Sequence, residues 1–586
     1  MKILLAAINA KYIHSNLAVY SLREYAQVYC AAQNGNAVPG IGTEIKIQTA
    51  EYTVNQQPDE ILMDIYRRKP DVLCFSCYIW NITYVEGMVR EVKKVCPDTH
   101  IWLGGPEVSY DAEDVLLRLP QVCGVMKGEG EETFAQLCGI YARRGLAGAD
   151  TGFPRVEGIS YRDSAGRVRE NPWREVLDLS SVPFVYRKNI EEFRNKIIYY
   201  ESSRGCPFSC SYCLSSVDKR LRFRDTELVK KELQSFLDAK VSQVKFVDRT
   251  FNCSHRHAME IWTYITENDN GVTNFHFEVA ADLLNEEELE LFKRMRPGLI
   301  QLEIGVQSTN PRTIKEIRRT MDFETVKAVV TRIRDYGNIH QHLDLIAGLP
   351  YEDIESFGKS FDDVYALRPE QLQLGFLKVL KGSFMAGQKD AYGLEYKSTP
   401  CYEVLYTRWL SYDDVLRLKG IEEMVEVYYN SGQYTRTLAA LEKEFSSAFE
   451  MFDSLRAFYT ERDGLEVKYR RSARYEILLE FVSAFCKAKE DYYRELLTYD
   501  YYLRENAKTR PDFAGEYVLT KEEVRQFYEK EARERTYLKG YEAFDRNQMR
   551  RMTHLERFTC LGETVLFDYT EKNPLNQEAR TCMIEL

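Results

Sequence analysis

The chain contains no apolar run long enough to cross a bilayer and no long block of lysine and arginine. Since a membrane-spanning helix needs about 20 consecutive apolar residues, the sequence predicts no membrane insertion. The formal net charge is −11, so a nucleic acid, whose phosphates select basic surfaces, is not an expected partner. The apolar start at Ile3–Ile8 is short and typical of a strand, and we expect no signal peptide.

The sequence also lacks the pattern of a disulfide framework. Its 14 cysteines are unevenly spaced in a chain of 586 residues without an export signal, which favours reduced thiols and a cytoplasmic protein. Hydrophobic residues make up 44% of the sequence, an ordinary value for a soluble globular protein. A chain of this length is expected to fold as several domains, roughly three to four of about 150 residues each.

Three cysteines, Cys206, Cys210 and Cys213, stand close together with the spacing CxxxCxxC. A cubane iron–sulfur cluster is usually held by four cysteines. Three thiolates from one loop therefore leave one iron free for another ligand, much as an open coordination position marks a catalytic zinc. The spacing predicts an iron–sulfur cluster with a vacant corner.

The three cysteines also allow interpretations other than an iron–sulfur cluster. Three close thiols can also form a zinc site or be buried, and Cys253, His255 and His257 lie downstream as further zinc ligands, but without a paired CxxC motif. A separate CxxC pair, Cys74 and Cys77, ends an apolar segment. Because buried cysteines usually behave as small apolar side chains, we expect this pair in the core and at the rim of the sheet.

The motif Arg-Gly-Cys-Pro-Phe-Ser-Cys-Ser-Tyr-Cys, with Tyr212 before its third cysteine, resembles the radical S-adenosylmethionine (SAM) enzymes. The resemblance implies a [4Fe-4S] cluster on the three cysteines whose open iron binds the amino and carboxylate groups of SAM, with Tyr212 against the adenine. In that family one electron cleaves the sulfonium to a 5′-deoxyadenosyl radical. An electron donor such as flavodoxin or ferredoxin is therefore implied as a partner.

Residues 1–146 are predicted to form a Rossmann-like, doubly wound parallel sheet. Strands and helices alternate, and Asp71-Val-Leu-Cys-Phe-Ser-Cys-Tyr is an almost continuous apolar run, as buried parallel strands are. Ligands of such sheets bind at the carboxyl ends of the strands. The loops expected there are Asn9–Ser15, Ser76–Asn81, Gly104–Pro106 and Gly128–Glu131.

Two of these loops, in Leu103-Gly-Gly-Pro-Glu and Lys127-Gly-Glu-Gly-Glu-Glu-Thr-Phe, resemble the cobalamin-binding domain that many radical SAM enzymes carry. Glycine lets a backbone approach a flat macrocycle closely, and its amide can bind polar groups. The Asp-x-His-x-x-Gly motif, whose histidine ligates cobalt in many cobalamin proteins, is missing, and an empty domain used for packing or substrate stays an alternative. The expected cobalamin contacts are Asn9, His14, Ser76, Tyr78, Gly104, Gly105, Gly128 and Gly130.

The segment 147–194 is expected to be a linker that contains a hairpin, and residues 195–410 are expected to be a partial (β/α)6 barrel of the radical SAM type. In barrels the catalytic groups gather at the carboxyl ends of the strands. Leu-Glu-Ile-Gly-Val-Gln-Ser and Gly-Leu-Pro-Tyr-Glu-Asp resemble stretches of radical SAM proteins. Besides Tyr212, the expected SAM contacts are Asp248, Glu303, Gln307 and Ser308; a helix cap or a salt-bridge partner is the alternative for each acidic one.

Residues 411–586 change character: long helical patterns rich in tyrosine and charge precede an alternating stretch, Thr553–Tyr569, that predicts a hairpin. This mainly helical region resembles a C-terminal domain of unknown function found on cobalamin-type radical enzymes. It contains no motif with a mechanism. Its tyrosines are expected in the core, among them Tyr492, Tyr493, Tyr499, Tyr501 and Tyr502.

Together the motifs predict a radical SAM enzyme with bound cobalamin that methylates an unactivated carbon of a small-molecule or peptide substrate. A radical cyclisation or rearrangement without methyl transfer is the first alternative. The second is a corrinoid- or redox-sensing protein without turnover, which would not need the complete cysteine motif. A tRNA-methylthiolating enzyme is disfavoured, because such enzymes carry a second cysteine trio and a basic RNA-binding module, and neither is evident.

Overall fold

The computed structural model describes residues 1–34, 44–187, 190–462, 464 and 467–585. The chain divides into two compact units. Unit 1 consists of Met1–Glu303, Ile314–Asp322 and Phe376–Arg408, and unit 2 of Ile304–Thr313, Phe323–Gly375 and Trp409–Leu586. Within the described ranges, no helix is both long and apolar enough to cross a membrane.

The N-terminal part of unit 1 alternates strands and helices. Its strands are β1 (Lys2–Asn9), β2 (Lys46–Thr53), β3 (Val72–Ser76), β4 (His100–Gly104), β5 (Gly124–Met126), β6 (Ile159–Arg162) and β7 (Val168–Glu170). Its helices are α1 (Leu17–Asn34), α2 (Pro58–Arg68), α3 (Ile82–Val95), α4 (Pro106–Ser109), α5 (Ala112–Arg118) and α6 (Glu131–Gly148).

Strands β1 to β5 are parallel to their neighbours. Their spatial order is β2-β1-β3-β4-β5. Every residue of β1 except Lys2 is buried, as expected for a parallel strand covered on both faces. This arrangement confirms the predicted doubly wound parallel sheet, and it brings the loops after β1, β3, β4 and β5 to one edge.

The N-terminal sheet is larger than predicted. Strands β6 and β7 extend it beyond β5 as an antiparallel hairpin. Both strands come from the segment 147–194, in which a hairpin was expected, and this hairpin joins the N-terminal sheet. Pairing with β6 covers backbone groups of β5 that would otherwise lie open at the edge of the sheet.

The central part of the chain contributes six strands to one sheet, together with two short strands and the intervening helices. The strands are β8 (Ile198–Tyr200), β9 (Ser203–Arg204), β10 (Arg222–Phe223), β11 (Gln243–Phe246), β12 (Asn274–Val279), β13 (Ile300–Gln307), β14 (His340–Ala347) and β15 (Gln371–Phe376). The helices are α7 (Thr226–Asp238), α8 (His255–Glu267), α9 (Glu286–Lys293), α10 (Pro311–Glu316), α11 (Phe323–Tyr336) and α12 (Ile354–Tyr365).

Six strands with helices between most of them agree with the predicted partial barrel. In unit 1, β8, β11 and β12 are parallel neighbours. The short strands β9 and β10 form a separate antiparallel pair beside the cysteine motif. Unit 1 also contains helix α13 (Lys389–Tyr392) and the antiparallel pair of β16 (Glu395–Tyr396) and β17 (Val404–Tyr406).

The C-terminal part of unit 2 is mainly helical, as predicted. Its helices are α14 (Tyr412–Met424), which continues as a π-helical turn (Val425–Asn430), α15 (Thr435–Leu441), α16 (Ala448–Arg462), α17 (Arg471–Cys486), α18 (Glu490–Arg504), α19 (Lys521–Glu534) and α20 (Arg546–Met552). The expected hairpin is formed by β18 (Thr553–Phe558) and β19 (Glu563–Lys572), and β20 (Ala579–Met583) extends it to a three-stranded antiparallel sheet. Of the five tyrosines expected in the core, Tyr493, Tyr499 and Tyr502 are buried.

Candidate functional site

The three cysteines lie in an irregular loop between β9 and a 3-10 turn at Leu214–Ser216. Cys206 and Cys210 are buried, and Cys213 is half-buried. The guanidinium of Arg319 lies 3.8 Å from Sγ of Cys210 and donates to the hydroxyl of Tyr212 at 3.4 Å. Burial raises the pKa of the Cys210 thiol, and the Arg319 charge opposes that shift by favouring the thiolate.

A buried carboxylate holds the strand that leads into this loop. Asp248 accepts hydrogen bonds from the backbone N–H of Ser202 at 3.0 Å, from its hydroxyl at 2.7 Å and from the hydroxyl of Ser203 at 2.6 Å. His257 Nε2 lies 2.9 Å from the same Ser202 hydroxyl, and burial lowers the pKa of His257 to about 4. Asp248, which we expected to contact SAM, therefore fixes the approach to the cysteines.

The cluster and zinc interpretations make different demands on the positions of the cysteine sulfur atoms. Each cysteine of a cubane ligates a different iron, so the sulfur atoms need not converge, whereas zinc ligands must meet at one point. Among the residues that the structure describes, no group of three His, Cys, Asp or Glu side chains could hold a metal ion. His255 is engaged with Glu288 at 3.1 Å and His257 with Ser202. The residues fit the cluster better than the zinc alternative.

A cavity of about 760 Å³ lies in unit 1 at the carboxyl edge of the N-terminal sheet. All eight residues expected to contact cobalamin line it, namely Asn9, His14, Ser76, Tyr78, Gly104, Gly105, Gly128 and Gly130. Residues on both sides of the cysteine loop line the same cavity, namely Arg204, Gly205, Leu214 and Ser215. A cavity of this size is in the range of pockets that bind large organic molecules.

Glycine is required at one position of the cavity wall. Gly105 has φ +117°, and a Cβ built there would lie 2.4 Å from the carbonyl oxygen of Cys77. A side chain would therefore push the β4–α4 loop away from β3. Cys77 itself is buried in the core with Cys74, as expected for this CxxC pair.

The loop after β1 is held by a glutamate that the sequence analysis did not single out. Glu51, in β2, accepts from the amide of Asn9 at 3.0 Å, from the N–H of Asn16 at 2.6 Å and from the hydroxyl of Tyr20 at 2.7 Å. The ammonium of Lys196 donates to it at 2.6 Å. Asn9 therefore shapes the loop, since its amide is used within the protein.

His14 connects the same loop to the strand before the cysteines. Its Nδ1 lies 2.7 Å from the hydroxyl of Tyr199, and burial lowers the pKa of the imidazole, which favours the neutral ring. The N–H of Ile197 donates to the carbonyl of Ile13 at 2.8 Å. The β1–α1 loop and β8 thus form one continuous wall of the cavity.

Ion pairs join the last glycine loop to the cysteine motif. Arg204 lies 2.5 Å from Glu131, 2.9 Å from Glu201 and 3.8 Å from Glu129. Burial would raise the pKa of Glu131, but the Arg204 charge outweighs it and lowers that pKa. Arg222 adds a 2.7 Å contact to Glu129. One arginine, two residues before Cys206, therefore anchors the loop Gly128–Glu131.

Glu303, an expected SAM contact in unit 1, is an ionised and half-buried carboxylate. It accepts from Lys245 Nζ and lies 2.9 Å from His276 Nε2. Burial alone would raise the pKa of Glu303, but the hydrogen bond from His276 and the Lys245 charge lower it to about 2. Sequence reasoning selected the residue from its place at a strand end and gave no sign of these two partners.

Within unit 2, Gln307 and Ser308 differ in whether their polar side-chain atoms have hydrogen-bond partners. Oε1 of Gln307 is buried without a hydrogen-bond partner among the described residues, and its backbone has φ +73°. Ser308 donates to Glu352 at 2.6 Å and accepts from the N–H of Asn310 at 3.0 Å, so its hydroxyl is engaged within the unit. Burial raises the pKa of Glu352 to about 7.

Three family models match the chain. A B12 binding domain matches residues 36–138, the radical SAM superfamily matches residues 200–364, and a protein family of unknown function, DUF4080, matches residues 390–579. The chain therefore carries a B12-binding domain, a radical SAM domain and a DUF4080 region, in this order. These matches confirm the predicted domain identities and the expected classes of cofactor.

Curated relatives share part of this organisation. The 2-(S-pantetheinyl)-carbapenam-3-carboxylate methyltransferase of Streptantibioticus cattleyicolor is 28% identical over 304 residues, 49% of this chain and 44% of that protein. An anaerobic magnesium-protoporphyrin IX monomethyl ester cyclase of Rubrivivax gelatinosus is 25% identical over 315 residues, 52% of this chain and 55% of that protein. The chain thus spans about half the length of these relatives.

Two solved structures show the same fold. The cobalamin-dependent SAM radical enzyme OxsB, with aqua-cobalamin bound, aligns with a TM-score of 0.58 and 15% identity over 85% of this chain and 79% of that chain. The radical SAM methyltransferase TsrM of Kitasatospora setae, with cobalamin and a [4Fe-4S] cluster bound, aligns with a TM-score of 0.52 and 17% identity over 68% and 78%. At these identities the likeness establishes the architecture.

The close approach at Gly105 gives a first test. We expect Gly105→Ala to destabilise unit 1 by about 1–3 kcal/mol, because the left-handed backbone and the contact with Cys77 both oppose a Cβ. Gly87→Ala in helix α3 is the matched control, since a Cβ there meets nothing within 4 Å. Thermal unfolding and cobalamin titration compare the two variants. Equal behaviour of both would contradict a tight loop.

The ion pairs of Arg204 give a second test. Arg204→Met leaves Glu131 and its neighbours without their shared cation, at a cost of about 3–5 kcal/mol for a buried pair. We expect loss of bound iron and of cobalamin together, because the arginine contacts the cobalamin loop and precedes the cysteines. Arg220→Met, at a residue with 56% side-chain exposure, is the control. Iron and cobalt are measured by metal analysis. If Arg204→Met lost iron but kept all of its cobalamin, the two sites would be independent and the prediction would be wrong.

Proposed function

We propose that the chain is a cobalamin-dependent radical SAM enzyme that transfers a methyl group to an unactivated carbon. The observation that carries the proposal is the cavity in unit 1. The loops of the B12-binding domain and the residues flanking the three cysteines line it together. A domain that only stored a corrinoid would not need the cysteine loop in the same wall.

In this proposal Cys206, Cys210 and Cys213 hold the [4Fe-4S] cluster, and the glycines of the β4–α4 and β5–α6 loops hold cobalamin. Bound together, the cluster, SAM and cobalamin supply carbon-radical formation and methyl transfer, chemistry that no amino-acid side chain provides. The chain positions these groups and keeps water away from them. Tyr212, Glu303 and Gln307 are the proposed SAM contacts.

The proposed SAM contacts differ in chemistry. Glu303 keeps its negative charge at neutral pH, and its contacts with Lys245 and His276 are both made through Oε2, so the carboxylate suits a cationic ammonium group. Gln307 offers an acceptor oxygen that no described residue uses. Asp248 and Ser308 already accept or donate hydrogen bonds within the protein, so we assign them to holding the backbone that carries the site.

The named activities of the relatives support the methyl-transfer proposal and supply its main alternative. One relative is named a methyltransferase and another a cyclase, and both match about half of their length. Because both names refer to small molecules, we propose a small-molecule substrate. A low-potential one-electron donor is required for SAM cleavage, and we propose a flavodoxin or ferredoxin in that role.

The cysteine assignment is tested by anaerobic reconstitution. We expect the wild-type protein to bind about four iron and four sulfide, the content of one cubane, and to form 5′-deoxyadenosine from SAM with dithionite. Cys210→Ala should abolish 5′-deoxyadenosine formation. Cys253→Ala, a half-buried cysteine outside the motif, is the matched control and should keep it. Zinc instead of iron, or full activity of Cys210→Ala, would overturn the proposal.

A product ratio separates methyl transfer from the cyclase alternative. Methyl transfer from SAM leaves S-adenosylhomocysteine, whereas radical formation leaves 5′-deoxyadenosine. We expect both products when the cobalamin-loaded protein is incubated with SAM, dithionite and extracts that contain the substrate. Only 5′-deoxyadenosine would favour a cyclisation or rearrangement. Neither product from a protein with an intact reduced cluster would leave a binding protein without turnover.

A further inference from the structure

Three segments of unit 1 surround the cysteine loop through backbone contacts. The carbonyl of Asp218 accepts from the N–H of Cys206 at 3.3 Å. The carbonyl of Ile317 accepts from the N–H of Ser211 at 2.9 Å, and the carbonyl of Ser211 accepts from the N–H of Met385 at 2.8 Å. The residues next to these contacts therefore form a protein surface beside the cysteine loop.

That surface presents exposed cations. Lys219 follows Asp218 and donates to the hydroxyl of Ser209, inside the cysteine loop, at 2.9 Å. Arg318 follows Ile317, and its backbone N–H donates to the carbonyl of Lys315 at 3.1 Å. All three side chains are exposed, and no carboxylate forms an ion pair with them among the described residues. We call Lys219, Lys315 and Arg318 the basic rim.

Carboxylates on the same segments are already engaged. Asp218 pairs with Arg220 at 3.4 Å and with Arg222 at 3.1 Å. Glu316 accepts from the hydroxyl of Tyr392 at 2.7 Å. The rim therefore keeps a local positive charge on a chain whose formal net charge is −11. A local positive charge attracts an acidic partner even where the molecule as a whole is negatively charged.

An apolar group lies beside the rim. Phe384, which precedes Met385, is 39% exposed, and the Arg318 guanidinium lies 3.5 Å from the centre of its ring. An exposed aromatic ring beside a cation fits a small, transient interface, in which charge orients the partner and a short apolar contact holds it. Electron-transfer complexes are at this small end of the range of interface sizes.

We infer that the basic rim and Phe384 are the docking surface for a small acidic protein that carries a low-potential one-electron centre. The inference rests on the proposed function, because a SAM-cleaving cluster has to be reduced. One electron leaves the carrier and enters the oxidised cluster, which takes no proton and loses no group. Lys219 of the rim donates to Ser209 of the cysteine loop, and Arg318 follows Ile317, whose carbonyl accepts from Ser211, so docking there places the donor next to the cluster site.

Charge complementarity between the basic rim and an acidic carrier predicts binding that depends on salt concentration. Long-range attraction between an acidic carrier and the rim raises the association rate and is screened by salt, with a Debye length of about 10 Å at 0.1 M. Reversing rim charges should therefore weaken binding and remove most of its salt dependence. The same change should leave reduction by dithionite unaffected, because a small inorganic reductant does not need to dock.

The experiment uses the reconstituted full chain and flavodoxin as the probe. Binding is measured anaerobically by biolayer interferometry at two salt concentrations. We expect the double variant Lys315→Glu/Arg318→Glu to bind flavodoxin at least about tenfold more weakly than the wild type, a typical effect of several reversed charges. Lys231→Glu/Arg155→Glu changes the same number of charges at exposed residues on other segments and should bind like the wild type.

Formation of 5′-deoxyadenosine is then measured with reduced flavodoxin and, separately, with dithionite. The inference expects the rim variant to lose flavodoxin-driven cleavage while dithionite-driven cleavage stays at the wild-type rate. Unchanged flavodoxin binding of the rim variant, or an equal loss in the control variant, would overturn the docking surface. Failure of the wild type with dithionite would instead reject the proposed function, so the two failures are distinguishable.

If the rim variant also loses its cluster, Lys219→Gln and the salt series on the wild type keep the test decisive. Lys219→Gln removes one positive charge and retains a side chain that can donate to Ser209. We expect weaker flavodoxin binding with an unchanged cluster spectrum. Wild-type binding that does not weaken between 50 and 200 mM salt, about the range in which exposed charges become screened, would contradict docking by charge.

Discussion

The cavity of unit 1 depends on the charge of one arginine. Arg204 stands two residues before the first cysteine of the motif and contacts Glu129, Glu131 and Glu201. Removing it would leave several carboxylates of a poorly solvated wall without a cation, which is costly. The pair with Glu131 also sets the distance between the loop of the B12-binding domain and the loop of the radical SAM domain. The ion pairs of Arg204 with Glu129 and Glu131 therefore connect two domains that match different family models, within a single compact unit.

Most of the fold could be predicted because its signals are local. The apolar strand Asp71-Val-Leu-Cys-Phe-Ser-Cys-Tyr and its neighbours alternate with helices, and this pattern admits few arrangements other than a doubly wound sheet. The strands β6 and β7 were assigned to a linker because a hairpin carries no sign of which sheet edge it will join. The same limit applies to β20, a short and mostly exposed strand whose pairing with β19 depends on contacts distant in sequence.

In the candidate site, too, residues with a local sequence signal could be predicted and residues defined by distant contacts could not. The cysteines and the glycines Gly104, Gly105, Gly128 and Gly130 could be selected, since spacing and backbone freedom are visible in sequence. Glu51 and Arg204 could not, because their importance comes mainly from partners 31 to 145 positions away in the chain. Asp248 and Ser308 stay predictions as SAM contacts, because an acidic or hydroxyl residue at a strand end gives the same sequence pattern whether it serves a ligand or the backbone beside it.

The hairpin of β6 and β7 has a consequence for dissecting the protein. The hairpin and the segment after it contact the residue that precedes the Gly128–Glu131 loop: Lys127 is buried, pairs with Glu170 at 2.6 Å and lies 5.3 Å from the centre of the Trp173 ring. A fragment cut at the family-model boundary near residue 138 would omit these groups and expose both an unpaired strand edge and a buried ammonium. An autonomous corrinoid-carrying module would have to run past Arg174, whose guanidinium is fastened to Thr133 and Glu132 of the first helix after the loop.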